Sequence, residues 1–246
     1  MVWGMSLPSS FGEFWSDGSF EATPDATSGW GSRLKSYYLE LSPEDQSALF
    51  DYVDTASRGK AGPYVSFVVG KFLHEQGAKG GADMPPFSPI LAHEPPRFFV
   101  IERGGKSLGS LIMLSNRMLA VEEALKTIIE RLEPSLHQFF PIEIMNRKGD
   151  VYPKSYYTLV IGQYFDSFSP EASKEGSCEL DITRFRYRDN KAGISGLAFQ
   201  KSLFGSAHLW RERQIIGLLT CFSDELIAEI AEAGLRIPRH YKMMEV

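Results

Sequence analysis

The apolar pattern of the chain follows the same order twice, about a hundred residues apart. In the later copy the apolar run Leu218–Phe222 meets Ser223-Asp224. Leu226, Ile227, Ile230 and Ala231 then recur at helical spacing, with Glu225, Glu229 and Glu232 on the opposite face. Gly234 and Pro238 break the helix before a short closing segment ending at Glu245-Val246. In the earlier copy the strand pattern Leu108–Leu114 meets Ser115-Asn116. Met118, Val121, Leu125, Ile128, Ile129 and Leu132 form one stripe, Pro134 stops it, and Glu143-Ile144 closes it. The pattern predicts an internal strand–cap–helix–strand duplication, with Ser115 or Asn116 capping one helix and Ser223-Asp224 the other.

Leu34–Leu41 reads as a strand. Ser42-Pro43-Glu44-Asp45 is a helix start: a hydroxyl cap, proline in the first turn, and acids against the helix dipole. Ala48, Leu49, Tyr52, Val53 and Ala56 continue that helix, and Tyr64–Gln76 fits another better than the strand that Val65, Phe67 and Val69 would also allow. Gly77–Pro96 is a loop, punctuated by glycine and proline. Arg97–Glu102 predicts a strand that turns back at Gly104-Gly105 as a hairpin. Further strands are expected at Phe139–Met145, Tyr156–Phe165, Glu179–Tyr187, Ile194–Ser202, Ala207–Arg211 and Ile215–Phe222. The fold class is α+β, a mixed and mostly antiparallel sheet with helices packed on it. Two regions are expected: residues 1–96, acidic and aromatic with one or two helices, and an α+β domain over 97–246.

Charge is also unevenly placed along the chain. Residues 1–54 hold nine acids and two bases, a net of −7, whereas the whole chain carries −5, so the rest sums to +2. An acidic N-terminal quarter disfavours a nucleic-acid or anionic-membrane partner there and suits a basic protein. Residues 1–32 lack Lys and Arg but hold several aromatics. Phe14, Trp15, Asp17, Phe20, Glu21, Asp25 and Trp30 are therefore the candidate partner-binding residues, set against an arm packed on its own domain. Cys178 and Cys221 sit in apolar contexts and are expected as free thiols. No signal-peptide pattern and no apolar run of spanning length is present, so the expected location is the cytoplasm.

Candidate chemistry is sparse. Arg103-Gly104-Gly105-Lys106-Ser107 lacks the leading glycine of a phosphate loop, because Val100 occupies that position. Gly193-Ile194-Ser195-Gly196 falls one residue short of a nucleophile elbow. The five histidines show no metal-ligand spacing with each other or with cysteine, so neither metal nor cofactor is expected. Glu143, Glu179, Asp181 and Asp189 are the acids available for a carboxylate-based site. Arg184, Arg186 and Arg188 beside Phe185 and Tyr187 fit a solvated strand face better than a nucleic-acid surface. His208, Trp210 and Arg211 form a polar–aromatic cluster, either structural or a contact.

Several of these segments together resemble a known family. They are Phe139-Phe140-Pro141-Ile142-Glu143-Ile144 with the glycine turn and aromatic strand that follow, Leu180-Asp181-Ile182, and His208-Leu209-Trp210-Arg211. Phe222-Ser223-Asp224-Glu225-Leu226 and Ala233-Gly234-Leu235 complete the set. The stretch Arg97–Val246 resembles the immunity protein eleven domain of bacterial polymorphic toxin systems. The resemblance implies a non-enzymatic cytoplasmic protein that binds and neutralises a cognate toxin made by the same cell. It brings no catalytic residues. The alternatives are an enzyme with a carboxylate-based site and a regulatory protein-interaction module.

Overall fold

The first twenty residues enter two separate sheets. The computed structural model describes residues 1–20, 29–49, 61–73, 89–103, 107–217 and 219–246. Strands β1 (Val2–Met5) and β2 (Asp17–Ser19) precede helices α1 (Trp30–Glu40), α2 (Pro43–Leu49) and α3 (Ala61–Leu73). The chain continues through β3 (Phe98–Arg103), β4 (Leu111–Met113), β5 (Leu119–Glu122), α4 (Glu123–Leu132), β6 (Gln138–Asn146) and β7 (Tyr156–Val160). It then runs β8 (Tyr164–Phe165), β9 (Cys178–Asp181), β10 (Arg184–Tyr187), α5 (Lys191–Ser195), β11 (Ala198–Phe199) and α6 (Lys201–Phe204). Last come β12 (Leu209–Glu212), β13 (Thr220–Ser223), α7 (Asp224–Glu232) and β14 (His240–Glu245). The expected α+β class with mixed sheets is what the chain forms.

The first sheet has the order β2-β3-β6-β7-β5-β4, parallel only between β3 and β6. Met113 N–H donates to Phe14 O at 2.7 Å, and Trp15 bridges Met113. One short segment therefore touches β4 at one edge and, through β2, β3 at the other, so the sheet curls back on itself. The second sheet has the order β11-β14-β1-β13-β12-β8, with β1 antiparallel to both neighbours. Strands β9 and β10 form a separate antiparallel pair. Strand pairing does not break at residue 96: β1 lies inside the second sheet and β2 on the edge of the first.

Alternation along the strands distributes their side chains among three cores. On β4, Leu111 and Met113 face one core and Ile112 another; on β5, Leu119 and Val121 face the first and Ala120 the second. One core joins the first sheet to α1 and α3 through Leu34, Tyr38, Tyr64 and Phe72. The second lies between the sheets and holds Leu125 and Ile129 of α4 with Leu226 and Ile230 of α7. Arg131 and Glu229 pair across those helices. The third packs the other face of the second sheet against α5, α6 and the β9–β10 hairpin.

Several expected elements differ from those observed, each for a physical reason. Leu34–Leu41 belongs to helix α1, whose buried Trp30, Leu34 and Tyr38 recur every four residues. Met118–Val121 is not helical, because Leu119–Glu122 is a strand buried on both faces, and such strands read as continuous apolar runs. Ser115-Asn116 therefore caps no helix. It forms a tight turn, Ser115–Arg117, with Asn116 and Arg117 at φ 59° and 60°. The residue before helix α4, Glu122, makes no side-chain cap bond, whereas Ser223 Oγ accepts the Leu226 N–H at 3.0 Å and caps α7 as expected. The strand–helix–strand order recurs as β5–α4–β6 and β13–α7–β14, but its caps fall on the last strand residues.

Tyr156–Phe165 is not one strand. It breaks at residues 161–163, and its second part joins the other sheet. Glu179–Tyr187 is a hairpin turning at Ile182-Thr183, where the alternation slips. Ile194–Ser202 contains α5, β11 and the start of α6 rather than a strand. Strands β3 and β4 are not hairpin partners, since three strands separate them in the sheet. The expected helix through Tyr52, Val53 and Ala56 lies outside the described residues, as do the Gly104-Gly105 turn and most of the Gly77–Pro96 loop.

Candidate partner-binding surface

The arm residues separate into core and surface. Phe20 and Trp30 are 3% and 2% exposed, so their side chains lie in the core. Their rings meet edge to face at 5.0 Å, and the Trp30 indole N–H donates to Glu94 O at 2.7 Å. The Phe14 ring is half-buried over Gly109, where an added Cβ would lie 2.5 Å from it. Trp15 is half-buried against the inter-sheet core, and its outer side carries Phe11, 56% exposed, at a 4.5 Å ring separation. Glu13 pairs with Arg236 at 2.9 Å and Asp17 with Arg103 at 3.9 Å. Glu21 and Asp25 lie outside the described residues. Among the described residues of the acidic N-terminal quarter, the exposed acids are Glu40, Glu44 and Asp45.

His208, Trp210 and Arg211 hold structure together. Trp210 is fully buried and stacks on Phe204 at 4.9 Å. Arg211 is 5% exposed and donates to Leu73 O at 2.7 Å. His208 Nδ1 lies 2.9 Å from Ser223 Oγ. Beneath them Glu133 gathers the His208 N–H (2.7 Å), the Leu209 N–H (3.0 Å), His137 Nε2 (2.7 Å) and Gln163 Nε2 (2.5 Å). Gly162 N–H donates to His137 Nδ1, so the His137 proton sits on Nε2 and points at Glu133.

The other ionisable clusters are likewise held by internal bonds. Lys71 and Glu94 form a buried ion pair at 2.6 Å; Pro89 O also accepts from Lys71, and Tyr64 OH and the Leu91 N–H donate to Glu94. Burial, and then the Glu94 charge, push the Tyr64 hydroxyl pKa up. Burial pushes Glu212 to about 7, against hydrogen bonds from Ser167 and Gln214. Cys221 is buried and Cys178 half-buried, both free thiols with pKa values raised by burial. The four candidate carboxylates do not converge. Glu179 and Asp181 lie on β9, Asp189 beyond β10, and Glu143 on β6 of the first sheet. No group of His, Cys, Asp and Glu among the described residues could hold a metal ion.

The β9–β10 hairpin has the opposite character. Its inner face, Cys178, Phe185 and Tyr187, packs on the third core, while Leu180 and Ile182 are 65% and 91% exposed. Ile182 sits at φ 56°. A β-branched residue in the left-handed region costs on the order of 1–3 kcal/mol. Sequence reasoning missed this element; the signal present was the break in alternation at Ile182.

What these residues define is an α+β protein whose buried ionisable groups are held by internal hydrogen bonds and ion pairs. No helix among the described residues is long and apolar enough to cross a membrane. A family model of the Imm11 immunity proteins matches residues 46–243, and the chain belongs to that family. A search of curated proteins finds no match.

Proposed function

We propose that the protein is a non-catalytic inhibitor that binds a cognate toxin in the cytoplasm of the producing bacterial cell and occludes its working surface. Membership of the immunity family carries the reading. The geometry supports it: Phe11 stands on a backing of Trp15, on an arm fixed by hydrogen bonds to β4. An aromatic anchor beside charged groups is the usual centre of a tight interface. Glu40, Glu44 and Asp45 leave the same N-terminal quarter acidic, which suits a basic toxin such as one that acts on nucleic acid.

The test is co-expression with the product of the reading frame adjoining this gene, followed by binding kinetics. Wild-type protein is expected to restore growth and to bind. Replacing Phe11 with Ser is expected to weaken binding at least tenfold. Neutralising Glu40, Glu44 and Asp45 is expected to slow association and flatten its salt dependence. Point substitutions are needed because truncating the arm removes β1 from inside its sheet. Wild-type protein that neither binds nor protects overturns the proposal.

A further inference from the structure

Leu180 and Ile182 are the two most exposed large apolar side chains among the described residues, and both lie at one end of the β9–β10 hairpin. We infer that this tip is an apolar anchor of the toxin contact, with Ile182 and Leu180 entering an apolar cleft on the toxin. The inference rests on the immunity reading and assigns it a second surface.

Four observations carry it. First, the turn conformation at Ile182 is one that glycine or asparagine adopts at little cost. Isoleucine there strains the backbone, and at 91% exposure it gains almost nothing from packing within the chain. Second, the hairpin is tied to the body of the protein beside its tip. Phe185 N–H donates to Gln214 O at 2.7 Å, Ile216 N–H donates to Phe185 O at 2.8 Å, and the Phe185 ring meets Phe168 at 5.1 Å. A tip already held in one conformation loses little entropy on association.

Third, the charges beside the tip cancel. Arg184 lies opposite Asp181 and Arg186 opposite Glu179, and the Arg186 guanidinium donates to the Asp181 carboxylate at 2.5 Å. A balanced rim around two aliphatic side chains neither attracts a phosphate backbone nor favours an anionic bilayer. It fits a protein surface with an apolar cleft and a mixed polar edge. Fourth, the hairpin adjoins the arm: Leu7 N–H donates to Asp189 Oδ2 at 3.2 Å, just beyond β10. That contact ties the base of the hairpin to the segment that leads to Phe11.

The experiment uses the full chain with Ile182→Gly and Leu180→Ser, each assayed against the adjoining reading frame's product for growth protection and for binding kinetics. Ile182→Gly relieves the backbone, so its melting temperature is expected to equal or exceed that of the wild type. Its affinity is expected to fall at least tenfold, mainly through faster dissociation, with the salt dependence of association unchanged. Leu180→Ser is expected to act in the same direction. Protection and affinity equal to wild type in both variants overturn the inference while leaving the immunity reading intact. Wild-type protein that fails to protect overturns both. A wild-type dimer that Ile182→Gly converts to monomer shows the tip meeting a second copy and overturns the toxin as its occupant.

Discussion

The backbone N–H of His208 donates to Glu133 Oε1 at 2.7 Å, joining the end of α4 to the chain entering β12 in the other sheet. Burial raises the Glu133 pKa, but hydrogen bonds from His137, the His208 backbone and Gln163 outweigh it and hold the carboxyl below its ordinary range. Glu133→Ala strands several buried donors and should cost about 3 kcal/mol or more, with Glu133→Gln costing less. The sign follows from the depressed folded value. The stabilisation is present above the ordinary carboxylate range and is lost as pH falls through the lower folded pKa. Urea unfolding should show the gap between wild type and Glu133→Gln closing in acid; a constant gap would count against the charge as its source.

Glu212 carries the opposite dependence. Its folded pKa is about 7, so the native state retains a proton that the unfolded chain releases near its ordinary value. Burial of the ion therefore lowers stability above about pH 7, and the penalty disappears as pH falls toward the ordinary range. A shift of this size corresponds to roughly 3 kcal/mol. Glu212→Gln should gain on wild type by up to that amount between about pH 5 and pH 8. Denaturant midpoints at the two pH values measure it, and parallel curves would disprove it.

Lys71 and Glu94 are 3% and 0% exposed, so each charge depends on the other. Glu94→Ala should cost about 3–5 kcal/mol by leaving the ammonium buried against the Pro89 carbonyl and the Phe67 ring without a counter-charge at its former place. Adding Lys71→Met should recover part of that loss. A double-mutant cycle reads the coupling, and strictly additive losses would rule out a dependent pair.

Gly162 lies where the chain leaves the first sheet for the second. A Cβ there would sit 1.9 Å from Leu136 O, a backbone atom that cannot swing aside. Gly162→Ala should therefore cost about 1–3 kcal/mol or more. The same shift would disturb the N–H donated to His137. Thermal unfolding checks this; an unchanged melting temperature would mean the crossing is slack.

Elements with one exposed face were legible in the sequence. Helix α7, with Leu226 and Ile230 inward and glutamates outward, carried both its period and its Ser223 cap. Elements buried on two sides were not. Strand β5 reads as the first turn of a helix because nothing polar marks its second face before Glu122. The aromatics of the arm could not be sorted by composition, since Phe20 in a core and Phe11 on the surface look alike in a glycine-rich stretch. The hairpin tip left only a break in alternation at Ile182 in the sequence, because its backbone angle and its exposure exist only after folding.

Strand β1 has a consequence for the order in which the molecule can be made. Val2, Trp3 and Gly4 pair with Ser223, Phe222 and Cys221 on one side and with Met243, Lys242 and Tyr241 on the other. A ribosome must therefore deliver nearly all of the described chain before its earliest strand finds either neighbour. The first sheet draws on residues no later than Val160 and can assemble while synthesis continues. The second cannot, and contacts so distant along the chain form slowly. Until then Val2-Trp3-Gly4-Met5 has both edges open to other strands, and edges of that kind are where nascent copies associate wrongly.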